Sequence, residues 1–431
     1  TNLKSLMETK KQNSNVLAII VMILLFGMIS FVTNLASPMG DVLKNQFGVA
    51  NWMGTLGVFA NFIAYAVMGI PAGNMLQNMG YKKTALIAVA VGFIGVAIQT
   101  VSGFVGSFGV YLLGAFIAGF SMCMLNIVVN PMLNKLAGGG NKGNQLIQVG
   151  GSFNSLMGTF VIILTGLLIP EIAKAQISQV FPLMYTALAI FAVAFLVVLF
   201  TDIPENAPKA VAKNEKSQYG PLSFRHFMLG AIAIFVYVGV EVGIPNVLQK
   251  WLNVALEADN ATAIAATVAG TYWFLMLVGR LTGAALGAKV SAKTMLAVVS
   301  TAGLCLTLGA IFLDPSIMVN LPVFDGAKGF AMAAVPVNAA LLVLCGLCTA
   351  VMWGSIFNLA VEGLGKYTEK ASGIFMALVC GGGILPLLQN GIVDWTGDYL
   401  TSYWVIVAGL IYMLSFALVG SKNVNKNIPV E

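Results

Sequence analysis

Long apolar stretches constrain the fold of this chain more than any other feature of its sequence. A helix needs about 20 mostly apolar residues to cross the hydrocarbon core of a bilayer. The sequence therefore predicts an all-α membrane protein whose transmembrane helices we number 1 to 12. The predicted spans are 16–38, 52–75, 83–103, 107–136, 145–169, 178–200, 224–252, 261–288, 291–313, 334–363, 369–393 and 398–420.

Composition agrees with a membrane protein and argues against several other classes. The chain is 58% hydrophobic and only 9% charged, whereas soluble domains carry roughly 25% charged residues. Its net charge of +6 is spread over many short loops, so we expect no nucleic-acid partner. No hydrolytic triad, phosphate loop or cluster of metal ligands is visible, so we expect no cofactor, no metal and no enzymatic activity.

The basic residues predict an orientation in the membrane. If the N-terminus is cytoplasmic, all but four of the 22 Lys and Arg residues fall on the cytoplasmic side. The four exceptions are Lys44, Lys174, Lys250 and Lys328. Cytoplasmic loops of membrane proteins carry such an excess. We therefore expect a multi-pass protein of the inner (plasma) membrane with both termini in the cytoplasm.

An internal repeat predicts two related halves. Residues 72–86 resemble residues 282–296, which lie 210 positions later in the chain. Gly73 matches Gly283 and Lys83 matches Lys293. In both copies an apolar helix ends, a short basic turn follows and a second apolar helix begins. Repeats of this length in an apolar chain are typical of transporters. We assign Lys83 and Lys293, in the two turns, a gating or structural role.

The repeat and a polar break divide the chain. A second matching pair, 130–136 and 358–364, is offset by 228 positions. The segment 201–223 holds three prolines, three lysines and three acidic residues and has little apolar surface to bury. The sequence therefore predicts a six-helix half at 1–200, a cytoplasmic linker at 201–223 and a second six-helix half at 224–431. We expect helix 2 to correspond to helix 8, and helix 4 to helix 10.

Polar residues near the middle of membrane helices are candidate site residues, because a charge there costs about 2.5–3.5 kcal/mol on insertion scales. Glu241 lies deep in helix 7, and no basic residue neighbours it on the same helix face. One interpretation is a ligand for substrate or for a coupling ion. The alternative is a neutral carboxylic acid that is hydrogen-bonded between helices.

Neutral amides form the second group of candidates. Helix 4 carries Asn126 and Asn130 one turn apart, helix 1 carries Asn34, and helix 5 carries Gln148 and Asn154. Amides offer both donors and acceptors, which suits a neutral solute rich in hydroxyl groups. The alternative is hydrogen bonding between helices, worth roughly 0.6 kcal/mol each.

The second half adds aromatic, amide and basic candidates. Tyr237 and Trp353 can stack on a sugar ring, and Asn358 is the counterpart of Asn130 in the repeat. We expect these residues to line a central cavity with the amides and Glu241. Arg280 lies near the cytoplasmic end of helix 8, where we expect it to stabilise the turn between helices 8 and 9 and to contact loop acids.

Several motifs make the chain similar to the fucose–galactose–glucose permeases of the major facilitator superfamily. They include "SFVTNLASPMGDVLKNQFGV" in helix 1, "NPMLNKLA" in helix 4, "YVGVEVGIPNVL" in helix 7 and "IFNLAVEGLGKYTEKASGIFMA" across helices 10 and 11. The resemblance implies the twelve-helix fold, alternating access and a sugar as substrate. It also implies that Glu241 and Arg280 are family residues.

Four family residues are replaced in the first half. Where proton-linked members have Asp, Glu, Gln and Arg, this chain has Ser37, Asn126, Gly151 and Leu146. Neither Ser37 nor Asn126 titrates in the accessible range, which leaves Glu241 as the candidate for coupling. The replacements favour uniport or sodium coupling over the family's proton mechanism.

The sequence therefore predicts a monomeric secondary active transporter that moves a small polar solute, in particular a monosaccharide. Two alternatives keep the fold, namely an uncoupled facilitator and a carrier of a different polar solute. A membrane-embedded enzyme or receptor is a third alternative. It is disfavoured because we find neither a catalytic constellation nor a soluble domain.

Overall fold

Each predicted apolar span forms a helix in the computed structural model, which describes residues 2–49, 53, 56–169, 175–205, 218–258, 260–325 and 329–431. The helices are α1 (Asn2–Phe47), α2 (Leu56–Met79), α3 (Tyr81–Val105), α4 (Phe108–Leu136), α5 (Gly140–Leu168), α6 (Ile177–Phe200), α7 (Arg225–Ala255), α8 (Ala261–Leu286), α9 (Ala292–Phe312), α10 (Val337–Val361), α11 (Gly365–Thr396) and α12 (Thr401–Gly420). Within the described residues, 11 helices are long and apolar enough to cross a membrane. The remaining one, α5, has 29 residues and matches the predicted span 145–169.

An even number of passes places both ends of the chain on one face of the bundle, which we call the terminal face. The turns that follow α2, α4, α8 and α10 lie there as well. The turn between α4 and α5 needs glycine, because Gly138, Gly139 and Gly140 all have positive φ and only glycine adopts such angles freely. The predicted linker falls on this face, but most of it, 206–217, lies outside the described residues.

Helix pairing repeats between the two halves. In the first half α3 and α2 pack on α4, α1 packs on α5, and α3 packs on α6. In the second half α9 and α8 pack on α10, α7 packs on α11, and α9 packs on α12. In each pair, the helix numbers of the second half are those of the first half plus six. This pattern agrees with the predicted correspondence of α2 with α8 and of α4 with α10.

The two halves meet through small residues at equivalent places. Helix α2 packs on α11, and α5 packs on α8. A Cβ added at Gly73 would lie 2.8 Å from the Cα of Gly373. A Cβ added at Gly287, which directly follows α8, would lie 2.8 Å from the Cα of Gln145. Small residues let membrane helices approach closely, so the glycines of the repeat allow the halves to close.

A β-hairpin on the opposite face was not predicted. Strands β1 (Met318–Asp325) and β2 (Gly329–Pro336) are antiparallel, and Phe324 pairs with Phe330. The sequence indicated only a long connection with two prolines. The Asp325–Gly326 dipeptide between apolar runs was the available signal for a hairpin. The hairpin is an addition to an otherwise helical bundle.

Close contact between α2 and α11 should make Gly373 intolerant of a side chain. A Cβ there would lie 2.5 Å from the carbonyl oxygen of Gly69, so Gly373→Ala should cost about 1–3 kcal/mol of overpacking. Gly391 is on the same helix, and a Cβ there would meet nothing within 4 Å. Thermal unfolding in detergent should show a lower Tm for Gly373→Ala and no loss for Gly391→Ala. Equal Tm values would contradict the proposed closeness of the two helices.

Candidate solute-binding site

A cavity of about 420 Å³ lies between the two halves. Its walls come from α1, α2, α4 and α5 of the first half and from α7, α8, α10 and α11 of the second half. Phe324 of the hairpin also lines it. This volume is within the range of small-molecule sites, roughly 300–1,000 Å³. The cavity is therefore the candidate place for a transported solute.

Six of the nine residues that the sequence predicted for the substrate site line this cavity. They are Asn34, Asn126, Gln148, Asn154, Glu241 and Trp353. The other three, Asn130, Tyr237 and Asn358, are not among the lining residues.

The three remaining residues support the site or lie away from it. Asn130 is fully buried, and its Oδ1 accepts a hydrogen bond from Trp353 Nε1 at 3.0 Å. Tyr237 is also fully buried, with its ring centroid 6.4 Å from that of Trp353. Asn358 lies towards the terminal face, where its Nδ2 donates to Asn134 Oδ1 at 3.2 Å and to the carbonyl of Gly140 at 3.0 Å. The helical pattern had indicated their depth but not their neighbours.

The first half provides most of the neutral polar lining. Asn126 Nδ2 donates to the Tyr65 hydroxyl at 2.9 Å, and Asn154 Nδ2 donates to the Phe26 carbonyl at 2.7 Å. These bonds hold the amides in fixed orientations. Ser30 and Thr33, which share a polar helix face with Asn34, also line this wall; the sequence did not single out Asn61, Tyr65, Ser155 and Thr159. Asn61 was the detectable one, because it is a polar residue inside an apolar helix.

Arg280 lies at the cavity and not at the turn between α8 and α9, which corrects the expectation from sequence. Its Nη1 donates to Ser155 Oγ at 2.7 Å, to Asn154 Oδ1 at 3.1 Å and to the Gly151 carbonyl at 3.2 Å. All three acceptors belong to α5 of the first half. The long side chain therefore extends from the terminal end of α8 towards the middle of the bundle and joins the two halves.

Glu241 faces this guanidinium. Its Oε1 lies 3.7 Å from Arg280 Nη2, and both side chains are mostly buried. Glu241 is the only acidic residue among the described residues that line the cavity. The sequence missed the pair because Arg280 lies on another helix. The charges nearly cancel, so the cavity is polar without a large net charge.

Helix α10 is interrupted at the depth of the cavity. It consists of Val337–Thr349 and Met352–Val361. Arg280 Nε donates to the Ala350 carbonyl at 3.3 Å, and Gln148 Nε2 donates to the Val351 carbonyl at 2.9 Å. Broken helices are tolerated in membranes where they line a cavity and find other partners. The break therefore belongs to the site.

Four aromatic side chains contribute to the second-half wall. Trp273, Phe274, Phe324 and Trp353 all line the cavity. Trp353 packs edge-on against Phe375, with the ring centroids 5.9 Å apart. Of these, the sequence assigned only Trp353 to the substrate site. These aromatic rings and the amides and hydroxyls of the first half therefore line the same cavity.

The halves are in contact on the terminal side of the cavity. Lys135 of α4 forms an ion pair with Glu369 of α11, and the Tyr81 hydroxyl donates to the same carboxylate at 3.3 Å. The Asn358 bonds lie in this region too. Lys83 and Lys293 are exposed, and neither forms an ion pair with a described residue. The contacts that close this face therefore come from other residues than the two predicted lysines.

A family model described as Major Facilitator Superfamily matches residues 17–387. The chain belongs to this superfamily. Family membership confirms the predicted fold and the prediction of a membrane transporter rather than an enzyme. The transporter thus carries its cavity where its two six-helix halves meet.

Known relatives span nearly the whole transporter. The glucose/galactose transporter of Brucella abortus is 28% identical over 424 residues, which cover 96% of this chain and 97% of the relative. The L-fucose-proton symporter of Escherichia coli is 22% identical over 418 residues, which cover 90% and 89%. These matches confirm the resemblance that the motifs indicated.

Solved structures show the same fold. The Escherichia coli fucose:proton symporter aligns with a TM-score of 0.79 at 20% identity, covering 95% of this chain and 100% of the other. The transporter FucP in the outward conformation aligns with a TM-score of 0.81 at 19% identity and the same coverage. At this identity the likeness supports the architecture only.

The guanidinium fork of Arg280 should be needed for transport. Arg280→Lys keeps the charge, but an ammonium cannot serve Glu241, α5 and the Ala350 carbonyl together. Losing two hydrogen bonds to a charged group should cost about 3 kcal/mol or more, so we expect uptake to fall roughly a hundredfold or more. The matched control is Arg225→Lys, because Arg225 is exposed and should tolerate the change. Initial uptake rates, normalised to folded protein, would contradict this role if both variants matched the wild type.

Proposed function

We propose that this transporter moves a monosaccharide across the inner membrane by alternating access, as a monomer with both termini in the cytoplasm. The observation that carries the proposal is that one cavity is lined by both hydrogen-bonding side chains and aromatic rings. Amides and hydroxyls of the first half line the same cavity as Trp273, Phe274, Phe324 and Trp353 of the second half.

A pyranose fits such a cavity chemically. Its hydroxyl groups form a polar rim that both donates and accepts hydrogen bonds, as Asn, Gln, Ser and Thr side chains do. Its C–H bonds form an apolar face that packs on aromatic rings. The near cancellation of charge between Glu241 and Arg280 favours a neutral solute over an ion. The names of the Brucella abortus and Escherichia coli relatives, which refer to glucose, galactose and fucose, support a sugar.

Glu241 is the candidate coupling residue. Ser37, at the family's helix 1 carboxylate position, has a side chain outside the described residues. Asn126, at the helix 4 position, is a neutral amide that donates to Tyr65. Among the described residues that line the cavity, Glu241 is the only carboxylate that could carry a coupling proton. A sodium ion would need its oxygens together with neighbouring oxygen ligands. The Escherichia coli relative is named a proton symporter, which supports testing the proton first.

Uptake into proteoliposomes tests the proposed cargo. We expect labelled glucose, galactose or fucose to enter vesicles that hold the purified protein, and unlabelled sugar to compete. Empty vesicles and an unrelated neutral solute of similar size are the controls. Accumulation driven by a pH gradient without sodium would indicate proton coupling. Accumulation that requires sodium would indicate sodium coupling, and equilibration without accumulation would indicate uniport. Absence of uptake for every sugar would contradict the proposed function.

Glu241→Gln separates ionisation from shape. The amide keeps the volume and most hydrogen bonds but cannot gain or lose a proton. If Glu241 couples transport, the variant should lose gradient-driven accumulation and the pH dependence of uptake, while exchange of labelled for unlabelled sugar continues. Glu257→Gln, an exposed acid outside the cavity, is the control. Accumulation that persists in Glu241→Gln would show that another group carries the coupling.

A further inference from the structure

The hairpin places one aromatic residue in the solute cavity. Phe324, near the end of β1, is the only residue of the described part of the hairpin that lines it. All other lining residues belong to helices of the bundle. A connecting segment on the opposite face thus completes a wall of the site, and nothing in the helical repeat anticipates it.

Helix α8 contacts both the main chain and the ring of Phe324 and so fixes the position of this residue. The Phe324 main-chain N–H donates to Thr271 Oγ1 at 2.8 Å. The ring stacks on Phe274, with centroids 4.7 Å apart and planes 16° apart. Phe330 of β2 packs against both rings, with its centroid 5.4 Å from that of Phe274 and 5.5 Å from that of Phe324. Phe324 therefore has a defined position, which is unusual for a residue between two helices.

The hairpin is attached to the second half of the bundle. Its strands pack on α8 and α10. Asn338, at the start of α10, donates from its Nδ2 to the Ala310 carbonyl at 2.7 Å and to the Leu313 carbonyl at 2.8 Å, which ties α10 to the end of α9. Phe324 should therefore move with α8 when the halves rearrange. Its relation to Trp273 and Phe274 stays constant, as a binding residue requires.

We propose that Phe324 is a specificity-determining residue that packs its ring on the apolar C–H face of the transported pyranose. The inference rests on the proposed sugar function and assigns part of the specificity to the hairpin. Epimers differ in which face is free of axial hydroxyl groups, so a flat ring at a fixed place favours some epimers over others.

The test compares four variants in uptake of a panel of hexoses that includes C4 epimers. Phe324→Leu keeps an apolar side chain without a ring, Phe324→Tyr keeps the ring, and Phe324→Ala removes both. Met332→Ala is the control, because Met332 lies on the same hairpin, is exposed and does not line the cavity. Size-exclusion elution and the Tm of each purified variant verify folding, and Phe324→Tyr serves as the best-folded substitution at this position.

We expect Phe324→Leu and Phe324→Ala to raise KM by roughly tenfold, the scale of one aromatic contact. We expect kcat to change little and the order of preference among the hexoses to change. Phe324→Tyr and Met332→Ala should retain the wild-type KM and order. A purely structural role would instead affect Leu and Tyr alike, or lower the Tm without altering preference, and either result would overturn the inference. Wild-type vesicles that take up no hexose would contradict the proposed function itself. Wild-type uptake with unchanged KM and preference in Phe324→Leu would contradict only the role of Phe324.

Discussion

The guanidinium of Arg280 is the group on which the central part of this transporter depends. A charged side chain in the membrane interior must find partners, because the hydrocarbon offers none. Arg280 finds them in Glu241, in the Ala350 carbonyl and in Gly151, Asn154 and Ser155 of the other half. One side chain thus connects α8 to three other helices, α5, α7 and α10. Its need for hydrogen-bond acceptors determines which parts of these helices lie close to it.

The break in α10 and the contact between the halves both provide hydrogen-bond acceptors for the guanidinium of Arg280. At the interruption Arg280 of α8 donates to the Ala350 carbonyl, and Gln148 of α5 is a second donor to the Val351 carbonyl, which also accepts from the Ser355 main-chain N–H. A Cβ added at Gly354 would lie 2.7 Å from Gln148 Nε2, so glycine at this position gives the amide its room. Fold and site are therefore not separable here, because the groups that line the cavity also complete the backbone hydrogen bonding of its walls.

The sequence predicted the bundle because long apolar spans and a long-period repeat have few other solutions in a membrane. It also predicted Glu241, Asn126 and Gln148 as cavity residues, since a polar group deep in an apolar helix needs a polar neighbour. Arg280 was misplaced because the position of its Cα indicates nothing about where a long side chain ends. Asn130 and Asn358 show a second limit, since helical spacing gives depth but not the facing helix. Phe324 shows a third, because only the folded hairpin brings it to the cavity.

The charge pair suggests how ligand binding and conformation are linked. Glu241 and Arg280 both belong to the second half, so their mutual distance does not depend on the position of the first half. The bonds from Arg280 to α5 do depend on it, because they join the second half to the first. If movement of the first half separates α5 from Arg280, the guanidinium loses these acceptors and keeps Glu241 as its charged partner. A solute, proton or cation that competes for Glu241 would then have different affinities in the two states, and a difference in affinity is what shifts a conformational equilibrium. The described cavity wall of the first half is neutral, whereas that of the second half carries Glu241 and Arg280. Binding at Glu241 is in this way linked to the relative position of the two halves.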